Sequence, residues 1–203
     1  MQTCRTLSLI ITSAVLFLSA CTPTVRSEVV VFHKDGLPSG QTIRAEAIDT
    51  DKIRSLEFRN YAKLITDQLS RIGYVPVEDP NANVMLIAEF DYSVEPGPLD
   101  VRVDRRSPRV HYHFNYGRYY DPFYFGLNSA WAEHIYATPT YLRKLNLNII
   151  DANTGDRIFE GRVQSQGDQS ELFEVMPYLV TALFANFPGE SGVTKVVTID
   201  REE

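Results

Sequence analysis

The chain has 203 residues, with 20 Lys and Arg against 26 Asp and Glu, four histidines and two cysteines, giving a formal charge of −6. An acidic balance disfavours nucleic acid and anionic headgroups as main partners, because both recruit clustered Lys and Arg. Once a leader is set aside, the length suits one domain with a sizeable core.

The first 21 residues read MQTCRTLSLIITSAVLFLSAC. Arg5 is the only charged side chain among them, and Thr6 to Ala20 is mostly apolar, the pattern of an n-region followed by an h-region. The run is shorter than the roughly 20 apolar residues of a spanning helix, and it ends in small residues. Leu18, Ser19, Ala20 and Cys21 resemble the bacterial lipobox. That resemblance implies cleavage after Ala20, a diacylglycerol thioether on Cys21 and acylation of its new amine. Residues 1–20 are therefore expected to be a lipoprotein signal peptide, 21–27 the lipidated cysteine with a short tether, and 28–203 a single domain.

Each buried CH₂ contributes roughly 0.8 kcal/mol to membrane attachment, and two or more chains hold stably where one does not. Thr22 stands where lipoproteins retained at the inner membrane usually carry Asp, so the expected location is the periplasmic face of the outer membrane. Cys4 leaves with the signal and Cys21 carries lipid. The mature domain then has no thiol for a disulfide, a nucleophile or a thiolate metal site. Losing residues 1–20 removes Arg5 and no acid, leaving 19 cations against 26 acids and a formal −7.

In the mature chain, EVVVFHK (Glu28 to Lys34) is β-branched and is closed by DGLPSG, which predicts a strand and then a loop. His33 reads as a strand-end residue. After Ser55, the residues Phe58, Tyr61, Ala62, Ile65, Leu69 and Ile72 recur at steps of three and four up to Gly73, predicting an amphipathic helix. VMLIAEFDYSV (Val84 to Val94) alternates as a strand, with Val84, Leu86, Ala88, Phe90, Tyr92 and Val94 on its apolar face. Leu145, Leu147 and Ile149, the turn DANTGD and the return Ile158 to Gln166 predict a hairpin. Asp151 and Asn153 resemble the start of a calcium loop, but Gly155 falls one place early and no Glu follows at the required distance. Asp168 and Glu171 stand in capping-box relation before a second apolar stripe, Leu172 to Phe187, with Pro177 expected to kink or begin the helix. VTKVVTID suits a last strand.

Motifs for chemistry are sparse. The chain contains no H-E-x-x-H, C-x-x-C, P-loop or strand-borne G-x-G-x-x-G, and GESG lacks the spacing of a nucleophile elbow. His111 and His113 are the best metal candidates, with Asp121, Glu133 or His134 as conceivable further ligands. Two histidines fall short of the three or four ligands that zinc requires, so neither a metal nor any other cofactor is expected. Glu89 and Asp91 fit the solvent face of a strand better than acid–base work.

HYHFNYGRYYDPFYFG, residues 111–126, holds eight of the 23 aromatic residues. Three readings stay open. Tyr112, Tyr116, Tyr119, Tyr120, Phe123 and Tyr124 could form a binding surface for a sugar or a protein partner, since rings bring large contact area at small entropic cost. The same stretch, with Gly117, Asp121, Pro122 and Gly126, also suits a plain connection folded over the sheet. Near a lipid anchor, the rings also suit the headgroup zone.

The order of the lipobox, VVVFH, SLEFRNYAKLITDQLSRIGYVPV, VMLIAEFDYSV, LNLNIIDANTGDRIFEGRVQS and ALFANFPGESG resembles the DUF4136 family of bacterial envelope lipoproteins. The resemblance implies an α+β lipoprotein domain of unassigned function with no agreed catalytic residues. Many members carry a middle connection rich in Gly and aromatics, whereas here Tyr and Phe dominate and Gly is sparse. The expected fold is a two-layer α+β domain, an antiparallel sheet of four or five strands with two main helices, near 56–72 and 170–187, on one face. The expected function is a structural or binding module of the envelope, not an enzyme, held to the lipid bilayer through acylated Cys21 and meeting an envelope protein or glycan. The rival expectation is an envelope hydrolase or sugar-binding protein using segment 111–126.

Overall fold

The computed structural model describes residues 23–104 and 134–201. Nine strands and two α-helices follow in chain order: β1 (Thr24–His33), β2 (Thr42–Ala47), a 3-10 turn (Thr50–Arg54), α1 (Leu56–Arg71), β3 (Val75–Pro76), β4 (Leu86–Pro96), β5 (Asp100–Asp104), β6 (His134–Thr138), β7 (Tyr141–Asp151), β8 (Arg157–Gly167), α2 (Leu172–Phe184) and β9 (Thr194–Asp200). Seven strands form one sheet in the order β3-β2-β4-β7-β8-β1-β9, while β5 and β6 pair separately.

The α+β class and the helices on one face hold, but the expectation of four or five antiparallel strands does not. The sheet has seven strands and is mixed, because β2 runs parallel to both β3 and β4. A parallel pair needs a long crossover, and the 3-10 turn with α1 supplies it between β2 and β4.

Cross-strand rows build the core. Ala47, Phe90, Leu147, Gly161 and Val31 form one row, and Tyr92, Leu145, Val163, Val29 and Lys195 form the next. Helix α1 covers the β2–β4 side, where Phe58 stacks on Phe90 at 4.6 Å and Tyr61 meets Tyr92 edge-on at 4.8 Å. Helix α2 covers the β7, β8 and β1 side through Val175, Met176, Leu179, Val180 and Leu183, all buried.

Local chemistry sets the helix ends. Ser55 Oγ accepts from the N–H groups of Glu57 and Phe58, and Gly73 takes φ 98° just past the last turn of α1. The capping box expected at Asp168 and Glu171 is not formed: Glu171 is itself the N-cap and its side chain makes no capping bond. Pro177 neither begins nor ends α2, which runs through it. At the β7–β8 turn, Asp151 Oδ1 accepts from the N–H groups of Asn153 and Thr154. That is an Asx turn, as the sequence predicts.

One row is polar. Val94, Arg143, Ser165 and Ser27 align across β4, β7, β8 and β1. Arg143 is buried, and burial lowers its pKa from the usual arginine value. Its Nη2 donates to Ser165 Oγ at 3.2 Å, which in turn donates to the Arg26 carbonyl at 2.8 Å. The guanidinium occupies the space a side chain on Gly167 would need.

Candidate functional site

The sequence-nominated residues Cys21, His111, Tyr112, His113, Tyr116, Tyr119, Tyr120, Asp121, Phe123, Tyr124 and Glu133 lie outside the described residues. His33 ends β1, and its ring nitrogens lie 3.1 Å from the Lys34 carbonyl and 3.2 Å from the Gly189 carbonyl. Glu89 and Asp91 stand on the sheet face away from the helices, half-buried, as their alternation predicts. Among the described residues no three His, Cys, Asp or Glu side chains gather as a metal site, and no helix is long and apolar enough to cross a membrane.

The described residues do form an open groove along β2. Among the described residues, β3 pairs with β2 only at Thr42 and Ile43, so from Arg44 to Ala47 the strand has β4 as its single neighbour there. The Ile43 carbonyl accepts from Val77 N–H on the outer side at 2.9 Å. Backbone alternation sends the N–H and C=O groups of Ala45 and Ala47 outward in the same way. None of these four groups has a protein partner among the described residues. Small side chains at Ala45 and Ala47 leave space beneath α1, whose Phe58, Ala62 and Thr66 form the wall, while Ile53 and Val77 close the ends. Ile53 is 51% exposed, a large apolar side chain at the mouth. Arg59 and Lys63 stand one helical turn apart on the rim.

A polar cluster fixes the start of α1 beside this groove. Tyr61 Oη donates to Glu57 Oε1 at 2.8 Å, and Tyr92 Oη donates to Glu57 Oε2 at 3.5 Å. Lys52 Nζ lies 2.5 Å from Asp91 Oδ1, donates to the Tyr92 carbonyl and sits 4.5 Å over the Tyr92 ring. Burial, then the Glu57 carboxylate, push the Tyr92 phenol up to about 12, and the same two causes raise Tyr61. The raised folded-state values mean that this stabilisation is complete below pH 10 and is lost as pH rises through 12. Phenolate absorbance is therefore expected to show Tyr92 titrating near pH 12, later than exposed tyrosines and together with loss of structure. Titration of every tyrosine near pH 10 with the fold intact would contradict the cluster.

The opposite sheet face is ionic. Lys144 bridges to Glu95 at 2.6 Å and Gln164 donates to Glu28 at 2.9 Å. Arg157 donates to Glu160 and Arg162 also pairs with it, lowering the Glu160 carboxyl. Exposed pairs of this kind contribute little to stability.

Sequence reasoning missed the β2 groove, because TIRAEA ends in Ala and Glu residues, which are depleted in strands. The loop DGLPSG before it was the only nearby signal. Fold and groove together define an α+β sheet domain with an incompletely paired edge. A family match supplies the rest: residues 31–189 fit the "Domain of unknown function (DUF4136)" model, and the chain belongs to that family.

Among solved structures, the chain is similar to a PDZ domain protein from Parabacteroides distasonis ATCC 8503. The identity is 14% and the TM-score 0.47, over 94% of this chain and 42% of that one. It is also similar to the PelC dodecamer from Paraburkholderia phytofirmans in two crystal forms. Identities there are 7% and 8% and TM-scores 0.38 and 0.40, over 76% of this chain and 91% of each PelC chain. No curated protein matches the chain.

Proposed function

We propose that this chain is a non-enzymatic envelope lipoprotein, held by acylated Cys21 at the periplasmic face of the outer membrane, that binds a partner by strand addition at β2. The carrying observation is the outward-facing main chain of Ala45 and Ala47, unpaired among the described residues, beside an apolar groove. An extended peptide gains main-chain hydrogen bonds along such an edge and specificity from alternate side chains. The rim sets the chemistry of the occupant. Arg59 has no carboxylate partner among the described residues, and Lys63 has only an exposed pairing with Asp67 at 3.2 Å. The fitting peptide therefore carries small or apolar residues toward the groove and an acidic residue toward α1. The lipobox residues Leu18 to Cys21 support the anchor.

Ala47→Pro tests the reading, because proline removes the outward N–H and is tolerated on an edge strand. A photocrosslinker at Ile53 is expected to give a discrete adduct in intact cells, and Ala47→Pro to abolish it with a thermal midpoint near that of the parent. An adduct of equal yield in both backgrounds would sink strand addition.

A further inference from the structure

Strand β3 shows what an occupant of the β2 edge looks like. Val75 N–H donates to the Gln41 carbonyl and Val77 N–H to the Ile43 carbonyl, each at 2.9 Å. An extended chain thus takes alternate outward groups of the edge. Ala45 and Ala47 come next in the same outward series, beyond the point where the chain leaves through Glu78. The stretch Arg44 to Ala47 spans roughly 13 Å, so it pairs with about four residues of an added strand.

The side chains of such a strand meet α1. Ala45 lies opposite Ala88 and Ala47 opposite Phe90, and Phe90 is stacked by Phe58, so both alanines share the helix face of the sheet. Alternate residues of an added strand take that same face, one strand spacing of about 4.8 Å farther out. Over them runs the line Phe58, Ala62 and Thr66, at four-residue steps along α1. Ala62 is its middle member and is half-buried. Three alanines therefore face one space. The groove encloses about 520 Å³, within the roughly 300–1,000 Å³ of ligand pockets.

The chemistry of the edge selects among occupants. An acyl chain would fill the space but cover the main-chain N–H and C=O groups of Ala45 and Ala47 without bonding them, which is costly. An extended peptide bonds these groups and still places a side chain on Ala62. Its gain grows with the apolar area removed from water, so a large side chain is favoured over a small one. The rim adds charge complementarity: Arg59 follows Phe58 at the Ala47 end, and Glu78 follows Val77 at the Ile43 end. An acid suits the first end and a base the second. We infer that Ala62 is the specificity-determining residue of a subsite that takes one large apolar side chain, of the leucine or phenylalanine class, from an extended partner peptide. The subsite rests on the strand-addition reading above and adds size selection to it.

The probe is a fluorescent, end-blocked peptide of about seven residues, long enough to cover the open edge. It is built of Thr and Val with Asp at one end and Lys at the other, in both orders, and its central residue is Ala, Leu or Phe. Binding to the full chain is read by fluorescence anisotropy. The Leu and Phe peptides are expected to bind at least about tenfold tighter than the Ala peptide, the discrimination an apolar pocket gives. Ala62→Leu is expected to weaken the Leu and Phe peptides at least about tenfold and to leave the Ala peptide within about twofold. Ala62→Met takes its place if Ala62→Leu lowers the thermal midpoint. Ala47→Pro separates the two readings, because loss of the outward N–H should weaken every peptide alike. Uniform weakening by Ala47→Pro without a preference for Leu and Phe, or with a preference that filling position 62 leaves unchanged, would keep strand addition and overturn the subsite. Binding that survives Ala47→Pro undiminished would overturn strand addition and the peptide subsite together. Binding of no peptide would also overturn the subsite, the groove then belonging to an acyl chain, a second copy or another part of this chain.

Discussion

Phe90→Ala is expected to destabilise the domain by about 3–5 kcal/mol, the usual cost of emptying a large buried aromatic site. Phe90 is 1% exposed, stacks on Phe58 and lies 6.3 Å from the Tyr92 ring. It also sits mid-row between Ala47 and Leu147, so its loss opens a cavity under α1 that neither small Ala47 nor the paired β7 can fill. A domain of this size typically has only about 5–15 kcal/mol in total. At about 2–4 °C per kcal/mol the thermal midpoint should fall by roughly 10 °C. A midpoint within a degree or two of wild type would contradict the stacked Phe58–Phe90 core.

Gly161→Val is the second large effect, and it acts through excess volume. A Cβ on Gly161 would stand 2.6 Å from Leu183 Cδ1 and 2.9 Å from Phe159 Cε1, both of them buried. Helix α2 rests on this glycine, so a valine must push the helix outward or force its neighbours off their rotamers. The expected cost is about 3 kcal/mol, at the upper end for overpacked cores. Chemical denaturation of Gly161→Val, Leu183→Ala and the double variant should reveal strong coupling, the smaller side chain at 183 recovering part of the loss. Simple additivity of the two single changes would show that α2 does not depend on the gap at Gly161.

These two sites mark how far the sequence could be read. Phe90 was legible, because every second residue from Val84 to Tyr92 is apolar and these five are buried. The β7–β8 hairpin was legible for the same reason, with Asp151 and Gly155 marking its turn. Gly161 was not, since a glycine inside a strand reads as a weak point until the helix that needs its absent side chain is placed above it. The edge strand β2 was illegible for a different cause: after Thr42 and Ile43 its residues Arg44 to Ala47 carry no strand signal, and parallel pairing with β4 makes them a strand. Alternation reports faces and carries no direction, so an all-antiparallel sheet was the natural but incorrect expectation. The Tyr61 and Tyr92 rings were placed correctly in the core, yet nothing in their spacing showed that both hydroxyls turn toward Glu57.

Strand β1 also constrains the order in which the chain can fold. It is flanked by β8, residues 157–167, and by β9, residues 194–200. A chain emerging N-terminus first therefore offers its first strand no neighbour until β8 has followed, more than 120 residues later, and no second neighbour until β9. Contacts so distant in sequence make folding slow. Meanwhile the β-branched VVVF run of β1 is exposed and prone to unwanted pairing. Loss of β9 would leave β1 open on that side from Thr24 to Val30, so β9 acts as the closing step that commits the fold.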